Sequence, residues 1–313
     1  MSFLTRGFYL GRQGMKVRDL SIGRFLARLA KFFVALAALV LAFGFAFKNK
    51  MIFHPVEGLE LNLKDSGWEF EEVWLAGLGG ARVNGWYVPG PPGHHTALIL
   101  HGNGGNVTDM IGRIMSYHWL SMGVLAIDYQ GYGLSEGEPS LSAAIQNAVA
   151  AWDFLVQTKN LDPQKIVVHG YSLGGGVAGE LVKRRPVPHP LVLDSTFTSL
   201  AAAARANYPL LGPLPDLILG EALDVEKALE GYRATVVIFF HSPDDKIVPY
   251  AQGRALYEGY RNGPKDFVDL VGGHVSYLAN QMAYEKALVK NLKLTFPKAP
   301  MAPAEPKTGE SAL

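Results

Sequence analysis

The 313-residue chain contains no cysteine. That absence excludes disulfide staples, thiolate nucleophiles, cysteine metal sites and a palmitoyl anchor. Charge is also scarce: Lys, Arg, Asp and Glu make up 18% of the residues, and the formal net charge is +1. The small net value conceals an uneven split. Residues 1–50 hold nine Lys or Arg against Asp19 alone, so that stretch carries +8 and the remainder of the chain −7. A body of negative balance is a poor match for nucleic acid, and no such partner is expected. No internal repeat is present, and the Pro- and Ala-rich tail 298–313 has no core pattern and is expected to be disordered.

The basic excess flanks the longest uncharged run, FFVALAALVLAFGFAF from Phe32 to Phe47. As a helix these residues would span roughly 24 Å, and Leu29 and Ala30 extend the run towards the roughly 30 Å of a bilayer's hydrocarbon core while Lys31 snorkels. Seven basic residues precede the run and two follow it. The positive-inside bias therefore predicts a basic cytoplasmic N-terminus over 1–28, a transmembrane anchor over 29–47 and a body on the opposite side, periplasmic if the source is bacterial. A cleaved signal peptide is the competing reading, for which Gly44 and Ala46 offer a poor small-x-small site.

Beyond the anchor, Trp68 to Ala76 and Ala81 to Pro89 alternate in character around GLGG and predict an antiparallel hairpin. Then ALILHG, VLAIDY, KIVVHG, LVLDS, TVVIFFH and DFVDLVGG follow as short apolar runs of the buried-strand type. Helical patterns fit between them over Thr108 to Leu120, Leu141 to Lys159, Leu173 to Arg184, Tyr250 to Tyr260 and Ser276 to Leu294. Alternating buried strands and helices predict an α/β domain over 53–296, with a mostly parallel central sheet covered by helices on both faces. About forty residues separate LVLDS from TVVIFF, including NYPLLGPLPDLILG with Pro209, Pro213 and Pro215. This insertion, about 196–233, suits a small apolar cap that would favour acyl chains.

The chemistry concentrates in three turns. Around Ser172 the chain reads IVVHGYSLGGGVAGELV: β-branched residues, a G-x-S-x-G turn and small residues of helical potential. Strand, tight turn and helix in that order form a nucleophile elbow, which lifts a serine hydroxyl to the top of a sheet. A serine needs a base, an acid to orient the base and donors for the oxyanion. The partners are expected in the order Ser, Asp, His, each after a later strand. HSPDDKIVP supplies Asp244 and Asp245 after TVVIFF, and VGGHVSYL supplies His274 in the last strand-to-helix turn. His241 is read as ordering the acid loop and His169 as structural. LILHGNGGN provides a glycine-rich loop whose backbone can donate to an oxyanion; the expected donors are the N–H groups of Asn103 and Leu173. That loop fits neither a G-x-x-x-x-G-K-[ST] phosphate cradle nor a G-x-G-x-x-G turn, and no cofactor or metal is expected. Asn106-Val-Thr108 is formally a glycosylation sequon, but modification within this loop is not expected.

Taken together, HGNGGN, DYQGYGLSEGEPS, GYSLGGGVA, DSTFTSL, HSPDDKIVP and GGH resemble the α/β-hydrolase superfamily, and specifically its membrane-anchored α/β-hydrolase-domain branch. The resemblance covers roughly Phe53 to Phe296 and implies an α/β-hydrolase fold. The family's acid loop, H-G-x-x-D-x-x-V/I-P, aligns its aspartate with Asp245. Here Ser242 replaces the usual glycine, so Asp244 stays a reserve candidate. Val275 follows His274 where the family often has Asp or Asn, and Asp128 and Tyr132 match a motif read as structural.

The expected protein is a single-pass serine hydrolase with Ser172 as nucleophile, His274 as base then acid and Asp245 as orienting acid. It would cleave carboxylic esters or thioesters of acyl, possibly lipid-like, substrates. Peptide or amide cleavage is the enzymatic alternative, and a non-catalytic binding protein of the same fold is the alternative from another class.

Overall fold

The structure, a computed structural model, describes residues 16–61, 63 and 67–296. The first fifteen residues of the expected cytoplasmic segment and the expected disordered tail 298–313 lie outside the described residues. The chain divides into two units between Phe47 and Lys48.

Helix α1, Lys16–Ile52, runs for 37 residues without a break. It starts well before the expected anchor and continues past it, because neither Lys31 nor the Lys48 to Lys50 stretch carries a helix-breaking residue. Its stretch Ile22–Ile52 is long and apolar enough to cross a membrane, with a mean hydropathy of 2.3. Phe32, Phe33, Val34, Leu39 and Phe43 on it are exposed.

The second unit is built on strands β1 (His54–Pro55), β2 (Glu71–Ala76), β3 (Arg82–Val88), β4 (Thr96–Leu100), β5 (Gly104–Gly105), β6 (Gly123–Ile127), β7 (Ile166–Tyr171), β8 (Leu191–Asp194), β9 (Val237–His241) and β10 (Lys265–Asp269). Eight of them form one sheet in the order β10-β9-β8-β7-β4-β6-β3-β2. Only the β2–β3 hairpin and the β3–β6 pair are antiparallel; the other five pairings are parallel. β1 and β5 make a separate two-residue parallel pair.

Helices α2 (Ile111–Trp119), α3 (Leu141–Asp153), α4 (Leu173–Arg184), α5 (Leu200–Asn207), α6 (Leu214–Leu219), α7 (Val225–Glu230), α8 (Tyr250–Gly259) and α9 (Tyr277–Leu292) complete the unit. Ser140 caps α3 by accepting from the N–H of Ala143, as its position in the sequence suggests. The last turn of that helical stretch, Phe154–Thr158, widens into a π turn.

Side-chain alternation in the central strands splits the apolar interior into two cores. Leu98 and Leu100 of β4, Val168 of β7 and Phe239 of β9 pack with Ala148, Leu181, Leu229 and Leu256 from α3, α4, α7 and α8. Their neighbours Ala97, Ile99, Val167, Ile238 and Phe240 pack with Ile114, Tyr117, Tyr284 and Leu288 from α2 and α9. Burial on both sides explains why these strands read as continuous apolar runs. The segment between β8 and β9 folds as α5, a 3-10 turn at Pro209–Leu211, α6 and α7. The prolines sit where helices begin, which keeps these pieces short.

Candidate active site

Ser172 follows β7 directly and immediately precedes α4. Its backbone adopts φ 53° and ψ −117°, a conformation that side-chain-bearing residues rarely take. The N–H of Ser172 donates to Asp194 O at 2.8 Å, and Thr196 Oγ1 donates to Ser172 O at 2.8 Å, so two bonds from the next strand's end hold the turn. The flanking glycines are sterically required. A Cβ at Gly170 would come within 2.3 Å of Gly174 O, and one at Gly174 within 2.0 Å of Leu100 O.

Three side chains from three strand ends meet in one hydrogen-bonded line. His274 Nε2 lies 2.9 Å from Ser172 Oγ, and His274 Nδ1 lies 2.7 Å from Asp245 Oδ2. Asp245 is the buried member of its pair, whereas Asp244 is exposed. The other oxygen of Asp245 accepts from the N–H groups of Ile247 and Val248 at 2.8 and 2.9 Å. His241 approaches Oδ2 to 3.4 Å while its Nε2 is 2.9 Å from Val248 O, so it orders the acid loop. Burial pushes the Asp245 carboxyl up, but the hydrogen bonds from His241, His274 and Val248 outweigh it and hold the group well below the usual carboxylate range. Asp245 is therefore an anion at neutral pH, and its two acceptor oxygens are committed to the His274 ring and its own loop.

Ser242, at the position where the resemblance leads one to expect glycine, does not displace the acid loop. Its hydroxyl donates to Gly272 O and accepts from the N–H of Asp244, which ties the acid loop to the histidine loop. The histidine loop gains a second tie from Tyr171, whose hydroxyl donates to His274 O at 3.1 Å. Tyr171 in turn lies against the Arg113 guanidinium, 4.2 Å from its ring centre, and Arg113 is paired with Asp194. Neither Arg113 nor Asp194 was singled out by sequence reasoning. An arginine on an amphipathic helix reads as a solvated side chain, and only the adjacency of Asp194 to the end of a buried strand could have flagged it.

Asn103 sits after β4 in the glycine-rich loop, and Gly102 beside it approaches Ser172: a Cβ there would lie 3.5 Å from Ser172 Cβ. Among the described residues, neither the N–H of Asn103 nor that of Leu173 has a hydrogen-bond acceptor. Leu173 is the first residue of α4, where helix geometry leaves the N–H unpaired. A developing oxyanion needs unpaired N–H donors of this kind. Asn106 is buried, and its side chain caps the 3-10 turn that follows, so the sequon is part of the fold. Asp128 accepts from the N–H of Val107 at 2.7 Å, and burial raises its carboxyl to about 7. His169 bonds to Tyr117 and Asp194 inside the second core, as a structural residue would. Among the described residues no group of three or more His, Asp or Glu side chains is placed to hold a metal.

The profile of the alpha/beta hydrolase family matches residues 97–276, from β4 to the start of α9. An uncharacterized protein of Mycobacterium tuberculosis is 33% identical over 248 residues, covering 77% of this chain and 86% of that protein. The alpha/beta hydrolase domain-containing protein WAV2 of Arabidopsis thaliana is 30% identical over 282 residues, covering 77% of this chain and 88% of the relative. Among solved structures, an esterase of Pyrococcus furiosus superposes with a TM-score of 0.63 at 19% identity, over 77% of this chain and 97% of that one. An alpha-beta hydrolase of Vibrio vulnificus superposes with a TM-score of 0.61 at 25% identity, over 71% and 81%. The parallel sheet, the strained serine turn and the matched stretch agree, and this chain belongs to the alpha/beta hydrolase family.

Proposed function

We propose that this protein is a serine hydrolase that cleaves carboxylic esters or thioesters of acyl substrates through an acyl-enzyme. The observation that carries the reading is the Ser172–His274–Asp245 line, with contacts of 2.9 and 2.7 Å. His274 Nε2 takes the Ser172 proton as Oγ attacks the acyl carbon, and the charge that develops on the acyl oxygen is received by the N–H groups of Asn103 and Leu173. Collapse of the tetrahedral intermediate breaks the bond to the alkoxide or thiolate, which leaves with the proton from His274 Nε2. Water then gives its proton to His274 and attacks the acyl-serine, and the second collapse releases the carboxylic acid and returns the proton to Oγ. Asp245 stays ionised throughout, holding Nδ1–H and stabilising the imidazolium that forms.

Apolar side chains left in solvent around this line support an acyl, lipid-like substrate. Val275 beside His274 is 89% exposed, and Leu278 on the first turn of α9 is 81% exposed. Ile247, two residues from Asp245, is also exposed; its carbonyl accepts from Asn207 Nδ2 at the end of α5, and Leu210 just beyond is fully exposed. Residues 196–233 are read as the cap that completes the acyl site. The apolar stretch of α1 is read as a retained anchor with its N-terminus cytoplasmic and the catalytic domain on the opposite side.

Labelling of the full chain with a fluorophosphonate probe, followed by hydrolysis of p-nitrophenyl esters of increasing chain length, tests the reading. Wild type should label and hydrolyse, favouring longer acyl chains, and Ser172→Ala and His274→Ala should do neither. A folded wild type that fails to label overturns the catalytic reading. Protease protection of sealed vesicles tests the orientation: a domain cleaved from the cytoplasmic face contradicts it.

A further inference from the structure

The chain leaving α1 is stitched into the loop that carries Asn103. The carbonyl of Ile52, the last residue of the helix, accepts from Asn103 Nδ2 at 3.1 Å. Two residues later the N–H of His54 donates to Asn103 O at 2.9 Å, and β1 pairs with β5 in register, His54 opposite Gly104 and Pro55 opposite Gly105. Further on, the carbonyls of Val56 and Gly58 accept from Asn106 Nδ2 at 3.2 and 2.7 Å. Asn103 is thus held through both its side chain and its carbonyl by residues 52–54, while its own N–H stays free.

Tyr132 closes the arrangement from a third direction. Its hydroxyl donates to Asn103 O at 2.7 Å and receives the N–H of His54 at 3.2 Å. Burial raises the tyrosine's pKa, so the hydroxyl keeps its proton at neutral pH. The ring is itself fixed, edge-on to Phe53 and tilted against His101. A carbonyl that accepts both from a rigid tyrosine and from a strand N–H has the plane of its peptide with Gly104 set, and because the Asn103 side chain is also tied to Ile52 O, the residue is held on two sides of its Cα, which restricts the swing of its own N–H in the preceding peptide.

We propose that the segment 52–58, which runs straight on from the apolar helix, is a positioning element of the active site: together with Tyr132 it holds Asn103 through its side chain and its carbonyl, so that the residue's N–H stays aimed at the forming oxyanion. The inference rests on the serine-hydrolase reading, and goes beyond it by giving the segment after the anchor a part in the rate of reaction. Residues 52–58 and Tyr132 touch no substrate. Their effect passes through Asn103, so loosening them removes stabilisation made only in the transition state, which lowers kcat and leaves KM in place.

The test is full-length Tyr132→Phe beside wild type, with kcat and KM on a p-nitrophenyl ester, the rate of fluorophosphonate labelling and thermal melting. The expected result is a kcat and a labelling rate reduced about 10-fold or more, at unchanged KM and with folded protein at the assay temperature. Asn103→Ala, which keeps the N–H but drops the bond to Ile52 O, is expected to reduce kcat in the same sense and remains informative if Tyr132→Phe does not fold. Wild-type kcat in a folded Tyr132→Phe or Asn103→Ala overturns the inference while leaving the hydrolase reading intact, and so does a loss that appears in KM alone. A folded wild type that neither labels nor hydrolyses overturns both.

Discussion

Arg113 and Asp194 form a two-pronged ion pair, Nε and Nη2 to Oδ2 at 3.0 and 2.6 Å, with almost no exposed side-chain surface. Tyr284 and Ser195 donate to the other oxygen of Asp194 at 2.7 and 3.1 Å. Burial raises the Asp194 carboxyl, but Arg113 and His169 outweigh it and keep the group well below the ordinary range. The same Asp194 carbonyl receives the N–H of Ser172. Loss of the cation strands a buried charge, so Arg113→Met is expected to cost about 3–5 kcal/mol, and Arg113→Met with Asp194→Asn to cost less than Arg113→Met alone. Denaturant titration of the two variants checks this; equal losses contradict it.

Asp245 and Asp244 are neighbours with opposite fates. Asp245→Asn is expected to lower kcat by roughly 10³- to 10⁴-fold, because an amide no longer holds the required histidine tautomer. Asp244→Asn, at an exposed position whose backbone N–H donates to Ser242 Oγ, should retain wild-type kcat. Steady-state kinetics on one ester decide it, and a reversed order would move the orienting role to Asp244.

Gly174 and Gly273 make a matched pair of substitutions. A Cβ at Gly174 meets the carbonyl oxygens of Leu100 and His101 at 2.0 and 2.6 Å, whereas one at Gly273 meets nothing within 4 Å. Gly174→Ala should destabilise by about 2–3 kcal/mol or more, and Gly273→Ala by well under ~1 kcal/mol. Melting curves check both, and a stable Gly174→Ala would mean the elbow can open.

Asp128 should leave a signature in the pH dependence of stability. Its folded carboxyl is raised to about 7, against roughly 3.9 in an unfolded chain. Between those values the unfolded chain has lost the proton and the folded one keeps it, so the group's contribution is present below about pH 4 and is lost as pH rises through 7. Asp128→Asn removes the titration, and its melting temperature relative to wild type should rise from pH 5 to pH 8. A difference that stays flat with pH contradicts the shift.

Local signals in the chain carried much of this architecture. The run from Ile166 through Arg184 reads as strand, turn and helix because each property lies within a few residues, and α4 spans the stretch read for it. The β2–β3 hairpin reads equally well from its alternation around GLGG. Four other features have no local signal of their own, for definite reasons. β1 is two residues long and has no period, and its partner β5 lies fifty residues away. The choice of Asp245 over Asp244 rests on the family's acid-loop pattern alone, because adjacent residues share every local cue and which side chain the loop turns inward is not written in them. Ser242 looked like a disturbance of the acid loop, and only the position of Gly272 O reveals it as a tie. Arg113 meets Asp194 across eighty-one residues, through an aromatic stack that no spacing announces.

At position 172 the backbone takes a shape suited to glycine, yet it carries a hydroxymethyl group. Holding it there costs on the order of 1–3 kcal/mol, which the surrounding sheet and Asp194 must supply. The fold thus works as a loaded spring with its free end at the hydroxyl, and Ser172→Gly would let it down. A chain maintained for durability alone would gain by that exchange, so robustness given up at this one serine is what the proposed nucleophile would require.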